Sequence, residues 1–123
     1  MDILLATAHT DLRLSLELLL DQEPGVKIVG TASETAGLRA LVLTTQPDIV
    51  LADWDLPGNG VVGLLADMHD ATQPHPSFII LSSQASAEQE VLAAGAVAFV
   101  FKGDSPENLL EAFRRVRRAA SSA

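Results

Sequence analysis

Asp53 closes the apolar run Asp48-Ile49-Val50-Leu51-Ala52 and is followed by Trp54-Asp55-Leu56-Pro57-Gly58-Asn59-Gly60. A carboxylate at the C-terminal end of a buried strand, beside a Pro/Gly loop, lies where open α/β sheets place their chemistry. The same residue could simply end a strand and cap the next turn, as Asp commonly does. Few other groups compete for a chemical role. The chain has no cysteine, so it has neither a disulfide framework nor a thiolate metal site. His9 reads as an exposed loop residue rather than a ligand. His69 and His75 flank the loop signal Gln73-Pro74 and show no metal spacing. Gly58-Asn59-Gly60-Val61-Val62-Gly63 is only a partial dinucleotide-loop match, in the wrong unit. No nucleophile–base pair is visible, and no enzymatic turnover is expected.

The elements that would position Asp53 follow from hydrophobic patterning. Five strands are expected at Asp2–Thr7, Val26–Thr31, Asp48–Asp53, Ser77–Ser82 and Val97–Phe101. Most are continuous Val/Ile/Leu-rich runs, as in a parallel sheet covered on both faces. Helical segments alternate with them. Thr10 precedes Asp11-Leu12-Arg13, Ser33 precedes Glu34, and Ser86-Ala87-Glu88-Gln89 has the pattern of a capping box. Ser105-Pro106-Glu107 orders a cap, a first-turn proline and an acid. The last helix spaces Leu109, Leu110, Phe113 and Val116 along one face. Five βα units with right-handed crossovers predict a doubly wound, flavodoxin-like three-layer α/β sandwich with strand order 2-1-3-4-5. In that order the ends of strands one, three, four and five converge, delivering Thr7-Ala8, Asp53, Ser82-Ser83 and Lys102 to one pocket. The domain is expected over residues 1–118, with 119–123 as a flexible tail or truncated linker.

These segments, in this order, resemble the receiver domain of two-component response regulators. The resemblance rests on Ile3-Leu4-Leu5-Ala6-Thr7-Ala8-His9-Thr10-Asp11-Leu12-Arg13, Asp53-Trp54-Asp55-Leu56-Pro57 and Phe78-Ile79-Ile80-Leu81-Ser82-Ser83. It extends through Ala94-Gly95-Ala96, Ala98-Phe99-Val100-Phe101-Lys102 and Ser105-Pro106-Glu107-Asn108-Leu109-Leu110. It implies Asp53 as phosphoacceptor, Lys102 as the cation on the phosphoryl oxygens, Ser82 as the switch hydroxyl and Phe99 as the switch aromatic. In such receivers Mg²⁺ is held by an acidic pair, the acceptor Asp and a backbone carbonyl two residues later, here that of Asp55. The ion neutralises the transferring group.

The acidic-pair positions are Thr7 and Ala8, and neither supplies a carboxylate. Loss of two anionic ligands predicts weak Mg²⁺ binding, because a hard dication is held mainly by anionic oxygen. Asp11 and Asp55 are the nearest acids that could substitute. The loop from Pro57 to Gly60 is one residue shorter than usual, and the segment from Ser82 to Gly95 is two residues shorter. Without a metal, a direct Asp53–Lys102 salt bridge is the expected resting state.

The expected function is therefore a receiver-like signalling module acting by protein–protein contact, with weak or no Mg-dependent phosphorylation. A histidine kinase or an output domain is the expected partner, and a homodimer is one expected assembly. Two alternatives stand beside it: a phosphorylatable receiver half of a DNA-binding regulator, and a small-ligand binder on the same scaffold. The formal net charge is −8, and residues 1–101 carry only Arg13, Lys27 and Arg39 as basic groups, so this portion should repel nucleic acid. Arg114-Arg115-Val116-Arg117-Arg118 is the exception. It reads as a solvated last helix turn, or as a docking face or linker start. No apolar run approaches the ~20 residues of a membrane span, and a cytoplasmic location is expected.

Overall fold

The computed structural model describes residues 1–58, 60–69 and 76–121. His75, the Gln73-Pro74 signal, Asn59 and the last two residues of the expected tail lie outside them. Five parallel strands form one sheet in the order β2-β1-β3-β4-β5. They are β1 Asp2–Ala6, β2 Lys27–Ala32, β3 Ile49–Asp53, β4 Ser77–Ser82 and β5 Ala98–Phe101. The helices are α1 Thr10–Asp21, α2 Thr35–Thr45, α3 Val61–His69, α4 Glu88–Ala93 and α5 Pro106–Ser121. This is the expected doubly wound sandwich, with strand limits shifted by one residue at several ends.

The period-two alternation of the strands sorts the core into two layers. Leu4, Ala6, Val50, Ala52, Phe78 and Ile80 face α2, α3 and α4. Ile3, Leu5, Ile49, Leu51, Ile79, Leu81 and Val100 face α1 and α5. Central strands buried on both faces explain why the sequence shows continuous apolar runs. The pairing Ala6↔Ala52, Asp53↔Leu81 and Ser82↔Phe101 brings the strand ends level, so the residues after them share one rim.

Local signals are obeyed unevenly. Pro106 opens α5 as expected, and Asn108 N–H donates to Ser105 O at 3.0 Å. The capping box at Ser86 does not form. Ala85–Ala87 is a short 3₁₀ turn, in which Ala87 N–H bonds Gln84 O, so Ser86 lies inside that turn rather than at the head of α4. Thr10 is likewise the first residue of α1, and His9 occupies the cap without a side-chain hydrogen bond. Helix α5 continues through Ser121, so 119–121 are helical where a tail is expected. Alanine is a strong helix former, and no Gly or Pro interrupts the segment.

The basic end of α5 is tied to the turn after α1. Arg114 pairs with Glu23 at 2.6 Å, and Arg117 Nη2 donates to Pro24 O at 2.6 Å. These cations therefore clamp α5 to the Glu23-Pro24-Gly25 turn, an anchoring role that neither sequence reading contained.

Candidate functional site

The rim above β1, β3 and β5 carries the candidate chemistry. Asp53 is the last residue of β3 and is 1% exposed. The next residues turn away sharply, with Trp54 N–H donating to Leu81 O at 2.8 Å and Leu56 N–H to Asp53 O at 3.3 Å. Pro57 O then accepts from Thr35 N–H at 2.9 Å, docking the loop on the start of α2. Gly58 is required there. Its φ is +121°, and a Cβ would lie 2.0 Å from Thr35 Oγ1.

Both oxygens of Asp53 are engaged. Thr7, one residue past β1, donates its hydroxyl to Asp53 Oδ2, and that hydroxyl accepts His9 N–H at 3.1 Å. Lys102, one residue past β5, brings Nζ to 2.5 Å from Asp53 Oδ1 and to 3.8 Å from Asp55 Oδ1. The backbone of Lys102 is fixed by its N–H to Ser82 O at 2.8 Å. The Asp53–Lys102 contact is an ion pair; Oδ1 accepts no hydrogen bond among the described residues. A carboxylate this buried requires compensation, and one ammonium with one hydroxyl supplies it. The expected salt bridge is thus present. Thr7 adds a contact that the sequence reading did not contain: the residue replacing an acid has become a donor to Asp53.

The remaining candidates lie around this centre. Ala8 is exposed. The Ser82 hydroxyl is buried and accepts Gln84 N–H at 3.0 Å, turning the chain after β4. Phe99 is half-buried and packs on the α2–α3–α4 side of the core. Its ring also lines a groove of about 560 Å³ with Leu92, Val97 and Arg115. Trp54 packs against the same core layer. Asp11 takes no part in the cluster, whereas Asp55 does. Potential ligand atoms of His9, Asp53 and Asp55 all lie within 4.8 Å of one another. His9 is exposed, as expected, but it stands at the rim of the site. That proximity depends on the α1 approach and is invisible in residue spacing.

Comparison with known proteins decides the family. The sequence pattern described as "Response regulator receiver domain" matches residues 3–114. The chain belongs to the response regulator receiver family. It is similar to the response regulator UvrY of Escherichia coli K12, 30% identical over 118 residues covering 94% of this chain and 53% of the relative. The nitrate/nitrite response regulator protein NarL of the same strain is 28% identical, covering 92% of this chain and 53% of that protein. The receiver thus spans about half the length of the curated relatives it matches. Among solved structures, a two-component response regulator of the LuxR family from Aurantimonas is 27% identical, with a TM-score of 0.82. That match covers 94% of this chain and 83% of the other. The response regulatory domain of mrkE from Klebsiella pneumoniae superposes over 100% of both chains with a TM-score of 0.90 at 13% identity, a likeness of fold.

The magnesium site implied by the family is not met by the residues present. At the two acid positions, Thr7 offers a hydroxyl already donated to Asp53, and Ala8 offers no ligand. Lys102 holds the other Asp53 oxygen. Mg²⁺ needs near-octahedral oxygen ligation with anionic support, and this donor set falls short of it.

Proposed function

We infer that this receiver acts as a two-component signalling module by protein contact, with weak or no magnesium-dependent phosphorylation of Asp53. The observation that carries the reading is the closed arrangement of Asp53, with Thr7 on one oxygen and Lys102 on the other. In a receiver with an acidic pair, a dication balances clustered carboxylates. Here a hydroxyl and an ammonium balance one carboxylate, so the strand ends are neutralised without an ion. The partner is a histidine kinase or an output domain, with self-association of the chain within the same proposal. A cytoplasmic site of action rests on the family, and no catalytic turnover is assigned. Among the described residues, no helix is long and apolar enough to cross a membrane.

A second reading is the phosphorylatable receiver half of a longer DNA-binding regulator. It is favoured by the length of the relatives and by a similar structure described as a DNA-binding response regulator of the LuxR family from Staphylococcus aureus. Incubation with acetyl phosphate and Mg²⁺, followed by intact-mass measurement, separates the two. The first reading expects the unmodified mass to predominate. A single species heavier by one phosphoryl group, abolished in Asp53→Asn, supports the second and ends the first.

A further inference from the structure

We propose that the β1–β2 edge carries a binding site for a phosphate-type oxyanion, free or as the end group of a small phosphorylated molecule, with Arg13 as its cation. The site is separate from the Asp53 rim and goes beyond the signalling role inferred above.

A cavity of about 170 Å³ lies between the β1–α1 corner and the end of β2, lined by Thr7, Ala8, Thr10, Arg13, Thr31 and Ser33. At about 30 Å³ per water molecule this is the space of roughly five or six, enough for a four-oxygen anion but not for a nucleoside attached to it. Among the described residues, no carboxylate lines it. Asp53 lies on the other side of Thr7, whose hydroxyl is committed to it. The hydroxyls of Thr10, Thr31 and Ser33 make no hydrogen bond among the described residues.

Arg13 decides the sign of the ligand. It is half-buried on α1 and forms no ion pair among the described residues, not even with Glu17 one turn further along the helix. Its Nε is buried without a hydrogen-bond partner. An unmatched buried donor on a cation is costly, and an oxyanion is the partner that matches it. A guanidinium presents its donors as a planar fork that fits two oxygens of a phosphate. The start of α1 adds to the same field. His9 caps this twelve-residue helix without a side-chain hydrogen bond. The first-turn amides and the positive end of the helix are therefore available beside Thr10.

The sequence explains why this edge accepts an anion in this chain. The acidic-pair positions of a receiver are Thr7 and Ala8 here, and both line the cavity. Two carboxylates at those places would repel phosphate, whereas a hydroxyl and a methyl do not. The replacement that removes the magnesium site thus leaves Arg13 as the sole charged residue of the lining among the described residues. Asp11 and Glu34 are exposed and lie outside the lining. The formal net charge of −8 lowers the affinity without deciding it, because distant surface charges are largely screened at ordinary ionic strength.

The test titrates the full, isotope-labelled chain with inorganic phosphate and, separately, with methyl phosphate, while backbone amide shifts are followed by NMR. Chloride at equal ionic strength is the reference. The expected result is saturable shifts at residues 10–13 and at Ser33 with either probe, and none with chloride. The tighter probe shows whether the free ion or the phosphomonoester is the preferred form. Arg13→Gln should weaken binding by about tenfold or more, and Arg13→Lys by less. Ala8→Asp changes an exposed position, leaves the packing alone, and should also weaken binding by about tenfold or more. Absence of saturable shifts with both probes, parental affinity in Arg13→Gln or in Ala8→Asp, or shifts centred on Ser82 and Lys102 would overturn the site. No phosphoryl transfer to Asp53 is involved, so the acetyl phosphate experiment judges that reading independently.

Discussion

Asp53 is a buried anion stabilised by two neighbours of different kinds, and replacing each has a different consequence. Lys102→Met leaves a carboxylate at 1% exposure with only the Thr7 hydroxyl, which should cost about 3 kcal/mol, at the low end for a broken buried pair because Lys102 is itself 20% exposed. Asp53→Asn removes the charge that Lys102 balances, yet leaves Asp55 at 3.8 Å as a substitute anion, and should cost about 1–2 kcal/mol. The double variant should be less destabilised than the sum, with a coupling of about 1–3 kcal/mol in urea denaturation. Additive losses would show that the pair carries no net interaction. Restoring acids is the converse experiment. Thr7→Asp with Ala8→Asp should raise acetyl phosphate labelling at Asp53 in Mg²⁺ by about tenfold or more, read as the modified fraction by mass. The gain should vanish when Asp53→Asn is added.

At the scale of elements, the loop after β3 shapes the rim, while the clamp on α5 fixes the opposite edge of the sheet, where the Met1 amine donates to Gly25 O. Gly58 and Gly60 both have positive φ, but only Gly58 faces an obstacle, Thr35 Oγ1, where a Cβ would fall. Gly58→Ala should therefore destabilise by about 2–4 kcal/mol, and Gly60→Ala by only about 1 kcal/mol from backbone strain. Equal losses in thermal or urea unfolding would mean that the Thr35 contact is irrelevant. Glu23→Ala should cost about 1 kcal/mol by freeing Arg114, since one partner is well buried and the other exposed. The elements themselves were legible because central parallel strands must be apolar on both faces, so Asp48–Asp53 and Ser77–Ser82 stand out as unbroken runs. Their order followed from handedness, and with it the convergence of Thr7, Asp53, Ser82 and Lys102. Short-range cap signals were poorer guides. Ser86 was overridden by a 3₁₀ turn, while the Arg114–Glu23 and Arg117–Pro24 contacts join segments about ninety residues apart, which no local pattern encodes. The Asp53–Lys102 pair was legible as charge complementarity at two strand ends. The donation from Thr7 and the approach of His9 depend on side-chain direction at the β1–α1 corner, which residue type alone does not specify.

For the molecule as a whole, charge and family membership frame what the receiver does. With 16 acidic against 8 basic side chains and a formal net charge of −8, the domain as a whole repels a phosphate backbone, the exposed Arg115 and Arg118 of α5 notwithstanding. It should not retard double-stranded DNA in an electrophoretic assay even at low salt, where non-specific binding is strongest. A shifted band would place a nucleic-acid surface on this domain. The central claim is narrower: the strand-end carboxylate is already neutralised by its own neighbours, so magnesium has no adequate place beside it. Trp54, next to Asp53 and packed on the core, is the chain's single tryptophan and a local reporter. Titration of the intact chain with Mg²⁺ into the millimolar range, followed by Trp54 fluorescence and by calorimetry, tests that claim directly. The expected result is no saturable change and no binding heat. A saturable one-to-one isotherm in the micromolar range, lost in Asp53→Asn, would contradict it.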